Sequence, residues 1–583
     1  MERRDTVEEF KKEIIIKILK NSGQYLLFLL ASIIILSATL MLFKIPMSNI
    51  HFCISSLIAI IPFYLLNKNN KLNEIVISII LAFIVITFSI VINKNYIDLS
   101  WDGNTYHKDA VGLIKNKWNP IYDNYIEFYK KINTRDMSFI GDEIKTTHGF
   151  WQTYYAKGTW YIGASIYSIT NDIETGKAFN IIVVYTTFTL VLSMLYQIRK
   201  KIIPSIIIAS ITAFNPIMVP QMFSYYNDGI LCNLLLLVIF YMTLFASESK
   251  SISKKEIYFI LCSILLILIN VKFTGFGYAG IFCVPYFLIF VYKKIKEKNF
   301  KEIIKSGSIF ACTVLFSVCV VGFSPYITNM KEGLPIFYPL MGENKVDIVS
   351  YNQPVQFATK STLFKFAKSI LSETSNINRA SGLKPKTKIP FTIKQKELDI
   401  LYHPDLRIAG FGVLFSGILI ISAIIIISYI IKMIIKRDKN FIYVFIPLMV
   451  SGLLILFISE SWWARYTPYL YIVPIIALIL PMLNNKKIDY IAFIILAIPI
   501  IINMNYFVEY NLKHNYQISK ETTKRLDEAQ NQKIIIIDTF NEFTGMLYNL
   551  EDRNITYKIQ TTNTNDTQEF YKWVKYRIGD DKE

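Results

Sequence analysis

The chain is 583 residues long, 53% hydrophobic and 18% charged, with a net charge of +18. A soluble chain of this length would divide into domains with charged surfaces. Here the apolar residues gather into long runs instead, and stretches 26–43, 202–219, 229–246 and 410–431 contain no Asp, Glu, Lys or Arg. The positive charge sits in short links between runs, with no basic face to carry it, which argues against nucleic acid as a partner. All six cysteines (Cys53, Cys232, Cys262, Cys283, Cys312, Cys319) fall within apolar runs, in neither a disulfide framework nor a metal-ligand spacing.

The opening string MERRDTVEEFKK is too charged for a typical cleaved signal peptide. Over residues 8–20, Phe10, Ile14, Ile15, Ile18 and Leu19 share one helical face. That pattern predicts an interfacial amphipathic helix within a cytoplasmic N-terminus, residues 1–24. About thirteen transmembrane helices are then expected, at 25–43, 48–66, 74–93, 179–198, 202–219, 229–247, 257–271, 275–292, 305–324, 409–431, 441–458, 468–483 and 489–505. The stretch 257–291 would be about 52 Å long as one helix against a hydrocarbon core of about 30 Å, so it must break, near 272–277.

With the N-terminus cytoplasmic, the links after even-numbered spans are cytoplasmic too, and these are the basic ones: residues 293–305 alone hold six Lys. The short links on the other side are poor in Lys and Arg: 220–228 has none and 459–467 has only Arg465. The expected architecture is an all-α polytopic plasma-membrane domain, residues 25–505. It has external loops at 94–178 and 325–408 and is followed by an extracytoplasmic C-terminal segment, 506–583. Strand-like runs at 533–538 and 555–559 flank a helix-like stretch at 541–550, which predicts a small α/β domain there.

The motifs lie on the external side. The first long loop opens with DLSWDGNTYHKDAVGLIKNKWNPIYD. A helix starting at Gly103 would place Asp102, Tyr106 and Asp109 on one face with His107 beside them. A carboxylate there can take a proton from an acceptor hydroxyl, and Asp is equally a favoured helix N-cap. Later in the loop, THGFWQTYYAKGTWYIG offers His148, Tyr155 and Lys157 to a phosphate or sugar, or to an aromatic belt with a snorkelling Lys. Asp228 opens a span after a Tyr-Tyr-Asn run, as a cap or as a second carboxylate facing Asp102. Lys272 lies at the external end of a span, where a Lys can snorkel or meet a phosphate. SESWWARYTPYLYIVP adds Trp463, Arg465 and Tyr466; Arg grips phosphate through paired N–H donors, and the rings can stack on sugars. The string GFGYAG at 275–280 is no dinucleotide fingerprint, because it follows no strand. There is no Walker A string, HExxH or DxD pair, and no acid falls in mid-span, where ion-coupled carriers usually need one.

Together these residues resemble the GT-C superfamily of membrane glycosyltransferases, in particular bacterial members similar to the dolichyl-phosphate-mannose mannosyltransferases. The likeness covers most of residues 74–505. It rests on Asp102 with Tyr106 and His107 in the first large external loop, on YAKG late in that loop, and on the late Arg-Tyr element ahead of a proline in WWARYTPYLYIVP. The family's usual Asp-Glu pair is Asp102-Gly103 here, which puts a divalent metal in doubt, and no other cofactor is implied.

The resemblance implies an inverting transfer with Asp102 as general base. Lys272 and Arg465 would stabilise the leaving phosphate, and Tyr106, His107, His148, Lys157, Asp228, Trp463 and Tyr466 would bind donor or acceptor. The implied partners are membrane lipid, a polyprenyl-phosphate sugar and a cell-envelope glycan, lipid or protein acceptor. Two other functions stay open: a polymerase or ligase using polyprenyl-diphosphate glycans, and a non-enzymatic carrier or flippase.

Overall fold

A computed structural model describes residues 2–125, 127–128, 148–343, 345–540, 542–560, 567–571 and 574–579, the side chains of residues 2–8, 148 and 571 excepted. A helix lies over each of the thirteen apolar stretches. In chain order these are α1 (Glu2–Leu42), α2 (Ile50–Asn67) and α3 (Leu72–Lys94); after the first loop come α7 (Phe179–Arg199), α8 (Ile202–Ala213), α9 (Asp228–Ser247), α10 (Lys254–Val271), α11 (Phe273–Lys296) and α12 (Phe300–Phe316). After the second loop come α13 (Phe415–Ile435), α14 (Phe441–Phe457), α15 (Ile472–Met482) and α16 (Lys487–Gln530). The first loop contributes α4 (Lys108–Lys115), α5 (His148–Tyr154) and α6 (Gly158–Thr170). Among the described residues, nine helical segments are long and apolar enough to cross a membrane.

The helices α1, α7 and α9 form the centre: 72%, 83% and 94% of their most apolar windows are buried inside the protein. Close approach is built in. A Cβ on Gly23 of α1 would meet Thr189 Oγ1 of α7 at 2.1 Å. The outer helices α3, α11, α13 and α16 keep exposed Ile, Leu, Val and Phe facing outward, as a lipid-facing surface would. At the end that carries the basic links, ion pairs join neighbouring helices: Lys17 with Glu74 at 2.7 Å, Lys20 with Glu256 at 3.0 Å and Lys200 with Glu13 at 2.5 Å.

Two expected boundaries are not breaks. The segment read as a separate interfacial helix is the first half of α1, which runs without interruption from Glu2 to Leu42. Its charged turns reach Glu74, Glu256 and Lys200 through the ion pairs just given, so they extend the central helix beyond its apolar part. Likewise α16 does not stop near residue 505 but continues to Gln530. A helix ends where it is capped or broken, and a fall in hydropathy is neither. The break required between α10 and α11 falls at Lys272, which is extended (φ −163°, ψ 146°).

The C-terminal segment forms a four-stranded sheet of β1 (Ile535–Asp538), β2 (Tyr557–Ile559), β3 (Gln568–Tyr571) and β4 (Val574–Ile578), in the order β2-β1-β4-β3. β1 and β2 are parallel, with Ile535 opposite Tyr557, and are joined through α17 (Gly545–Glu551); β4 pairs antiparallel with both β1 and β3. The two strand-like runs of the sequence are β1 and β2. β3 and β4 were not expected. Their core takes in Leu526 and Ala529 of α16 and Ile97 from the link after α3.

The sheet domain is clamped onto the first loop. Glu174 sits at the centre of a buried network: its Oε1 accepts from Lys108 Nζ (2.8 Å) and Asn549 Nδ2 (2.9 Å), its Oε2 accepts from the backbone N–H of Asp98 (2.9 Å), and Lys177 pairs with it as well. Lys108 Nζ also donates to Asn549 Oδ1 at 3.0 Å. Nearby, the backbone N–H of Ile173 donates to Asp552 at 2.7 Å.

Candidate functional site

The site lies at the end of the helices opposite the basic links. After α3 the chain turns helical at Trp101, and Gly103–His107 form one π-type turn that runs into α4. Only Gly fits at 103: a Cβ there would lie 2.1 Å from Asp98 Oδ2 and 2.2 Å from Ser100 Oγ. Asp98 accepts from the backbone N–H of Ser100 and, through its other oxygen, from that of Tyr225, both at 2.8 Å. It thereby ties this turn to the link ahead of α9. The π-type turn holds an extra residue, which shifts the face. Asp102 and Tyr106 line the same cavity, while Asp109 turns inward to accept from Tyr125 (2.9 Å) and Gln152 (2.6 Å).

Asp102 is not spent as a helix cap: its side chain makes no capping hydrogen bond and accepts from Arg465 Nη1 at 3.1 Å. Asp228 likewise serves no capping role. It accepts from Lys272 Nζ at 2.5 Å, and its other oxygen is 3.9 Å from Arg465 Nη1. Of the remaining guanidinium nitrogens, Nη2 donates to the Tyr466 hydroxyl at 3.1 Å, and Nε lies 3.5 Å from Asp405 Oδ1 without a hydrogen bond. The guanidinium lies among the rings of Trp463 (4.7 Å), Tyr466 (5.0 Å) and Tyr226 (5.2 Å), and Lys272 lies over Tyr466 at 5.1 Å. Thus Asp102, Asp228, Lys272 and Arg465, from four separate links, meet at one point.

That point is in the wall of a cavity of about 840 Å³. One side is aromatic, with Tyr106, Trp151, Tyr155 and Tyr466; one is apolar, with Phe273, Ile281 and Ile458; and Lys345, Asp347 and Glu460 stand at its polar part. The apolar side continues along α11, where Gly277, Ile281, Val284 and Leu288 are exposed at helical spacing. The Asp102 side chain is 21% exposed. Loss of water around it raises its pKa above the ordinary carboxylate value; Arg465 opposes the rise, Asp405 adds to it, Lys272 opposes and Asp228 adds.

Other expected contacts differ. Lys157 does not line the cavity: it is buried, and its Nζ donates to the backbone carbonyls of Thr153 (2.8 Å) and Tyr155 (2.5 Å). Burial drives its pKa well down, so it braces the turn before α6 and offers no grip to a phosphate. His107 is buried beneath the cavity wall, where its Nδ1 accepts from Trp160 Nε1 at 2.7 Å. It packs against Tyr106 and Tyr155, and burial, with Lys272 and Arg465 adding to it, keeps it neutral. Trp462 and Trp463 are both buried. His148 opens α5, and its side chain lies outside the described residues.

Sequence reasoning missed Asp405, Arg407 and Tyr226. Arg407 Nη2 is 3.4 Å from Asp405. The only signal was position: HPDLR stands just ahead of a span on the motif-bearing side, as the other motifs do.

A divalent metal does not fit these residues. No side chain fits at Gly103, and the space between Asp102, Asp228 and Asp405 is filled by the guanidinium of Arg465; among the described residues no group of three His, Cys, Asp or Glu side chains is placed to hold one. Comparison with protein-family models, with curated proteins and with solved structures returned no match to this chain.

Proposed function

We propose that the chain is a GT-C-type membrane glycosyltransferase of the plasma membrane, crossing it thirteen times with the N-terminus cytoplasmic and the sheet domain outside. It transfers a sugar from a polyprenyl-phosphate donor to an acceptor hydroxyl on the extracytoplasmic face. The observation that carries this reading is the meeting of Asp102, Lys272 and Arg465 in one cavity that has a carboxylate, two cations, aromatic rings and an apolar flank. Each suits one part of such a donor: the flank its hydrocarbon chain, the cations its phosphate, the rings its sugar. Nucleotide sugars are cytoplasmic, so an external transferase needs a donor carried across by a lipid.

Asp102 takes the proton of the acceptor hydroxyl as that oxygen attacks the anomeric carbon from the face opposite the phosphate. The anomeric carbon–oxygen bond breaks, its electron pair stays on the phosphate, and the configuration inverts. Lys272 and Arg465 stabilise the charge that grows on the leaving phosphate. Charge balance favours a single phosphate over a diphosphate. Asp102 and Asp228 are matched by Lys272 and Arg465, and Asp405 by Arg407, while Asp347 and Glu460 outnumber Lys345, the remaining cation in the cavity wall, so each further negative charge in the donor must find compensation elsewhere.

The test is transfer in proteoliposomes from radiolabelled polyprenyl-phosphate sugars to cell-envelope acceptor fractions. Consumption of a monophosphate donor is expected. Consumption of diphosphate-linked glycans only, or of neither, overturns the reading. Replacing Arg465 by Lys keeps the charge but loses the fork; donor KM should rise about 10-fold or more with a smaller change in acceptor KM. Because the base acts deprotonated and its pKa is raised, kcat/KM should fall with decreasing pH through a value above the ordinary carboxylate range. A pH–rate profile flat down to pH 4 would remove Asp102 from that role.

A further inference from the structure

We infer that the Asp102–Arg465 ion pair is a latch opened by the donor: the donor's phosphate takes over Arg465, and only the carboxylate it displaces is free to act as base. The inference rests on the transfer reading given above. Each nitrogen of Arg465 faces an oxygen: Nη1 donates to Asp102, Nη2 donates to Tyr466, and Nε lies 3.5 Å from Asp405. Lys272 is held by Asp228, yet an ammonium has three donors and can take on a phosphate oxygen without giving up its carboxylate. Arg465 has five N–H donors, but both nitrogens of its paired Nη edge already serve Asp102 and Tyr466, so a phosphate seated on that edge competes with the Asp102 carboxylate for Nη1.

Which partner yields follows from the surroundings. Asp228 is 3% exposed and anchored by Lys272; Asp405 has a second cation in Arg407 at 3.4 Å. Asp102 is 21% exposed, has Arg465 as its one ion-pair partner among the described residues and lines the cavity itself. It is the carboxylate that can rotate toward the open space with the least loss of pairing. The exchange conserves charge: one phosphodiester anion replaces one carboxylate on the guanidinium, and the carboxylate stays charged in the cavity. There it accepts the acceptor's proton while the bond from the anomeric carbon to the phosphate oxygen breaks, leaving a phosphate dianion on Arg465 and Lys272. The latch therefore makes binding ordered, donor before acceptor, and withholds the base from water when no donor is present.

The test uses the full-length protein in nanodiscs and a ten-carbon alkyl methyl phosphodiester, an anion of one charge across the working pH range. Its affinity is measured for wild type, Asp102→Asn and the charge-matched control Asp405→Asn. The latch predicts that Asp102→Asn binds the probe about threefold or more tightly than wild type, because the competitor for Arg465 is gone, and that Asp405→Asn gains less. A cryo-EM structure of the wild-type complex should show the Asp102 carboxylate beyond hydrogen-bond reach of Arg465. Unchanged affinity in Asp102→Asn, an equal gain in both variants, or a bound phosphodiester with the ion pair intact overturns the latch and leaves the transfer reading standing. Wild-type protein that does not bind the probe at all overturns both.

Discussion

Replacing Asp102 by Asn is expected to abolish most sugar transfer while leaving the protein folded. Asn fills nearly the same volume and can still accept a hydrogen bond from Arg465, so the wall of the cavity persists. It cannot take a proton. A positioned general base is worth about 10²–10⁴ in rate, and the loss should fall on kcat, with donor binding kept or improved. Elution as a single species with wild-type thermal stability separates lost chemistry from lost structure. A variant that retains full kcat would assign the base elsewhere, and Asp228 is a poor substitute, being 3% exposed and paired with Lys272 at 2.5 Å.

The largest effect on stability is expected from Glu174→Ala. The side chains of Lys108 and Lys177 are both 0% exposed, and Glu174 is the carboxylate that pairs with each of them. Removing it leaves two buried ammonium groups without their ion-pair partner and only the Asp98 carboxylate nearby, a loss of about 3–5 kcal/mol for breaking such a pair from one side. The damage should appear at a particular place. Asn549 and the Asp98 backbone also bind Glu174, so the sheet domain should loosen from the first loop and become open to proteolysis before the helices melt. Asn549→Ala keeps every charge paired and should cost less. Equal melting temperatures and equal protease resistance in Glu174→Ala and wild type would show that the domain is held by its apolar contacts alone.

The parts of this architecture visible in the sequence are those set by local composition. Apolar runs mark where helices lie, and arithmetic on length requires a break within 257–291, expected near 272–277 and found at Lys272. The distribution of Lys among links marks which ends belong together, and that shared end groups Asp102, Lys157, Asp228, Lys272 and Arg465, of which all but Lys157 meet. The parts not visible depend on what a side chain meets across the fold. Lys157 and His107 read as ligand groups because they are polar and near aromatics; their burial, and the backbone carbonyls and Trp160 that engage them, are tertiary facts. Asp405 goes unmarked in the sequence because its partner Arg465 is 60 positions away. Strand β3, QEFY, has no alternation, and β4, VKYRI, alternates apolar with charged residues over only five positions; both are strands because β4 pairs with β1 and β3 with β4.

The unbroken course of α16 has a mechanical consequence. Its 44 residues make a rod of about 66 Å, more than twice a hydrocarbon core of about 30 Å, so one rigid piece joins the apolar helices to the sheet. Such a rod transmits phase as well as distance. Each residue added to it turns everything beyond by about 100° and lifts it by about 1.5 Å, so a single insertion would swing Asn549 away from Glu174. A flexible tether would absorb the same change. The sheet domain is thus indexed to the helices beneath it, like a gear keyed to its shaft, and its angular setting is written in the number of residues between Lys487 and Gln530.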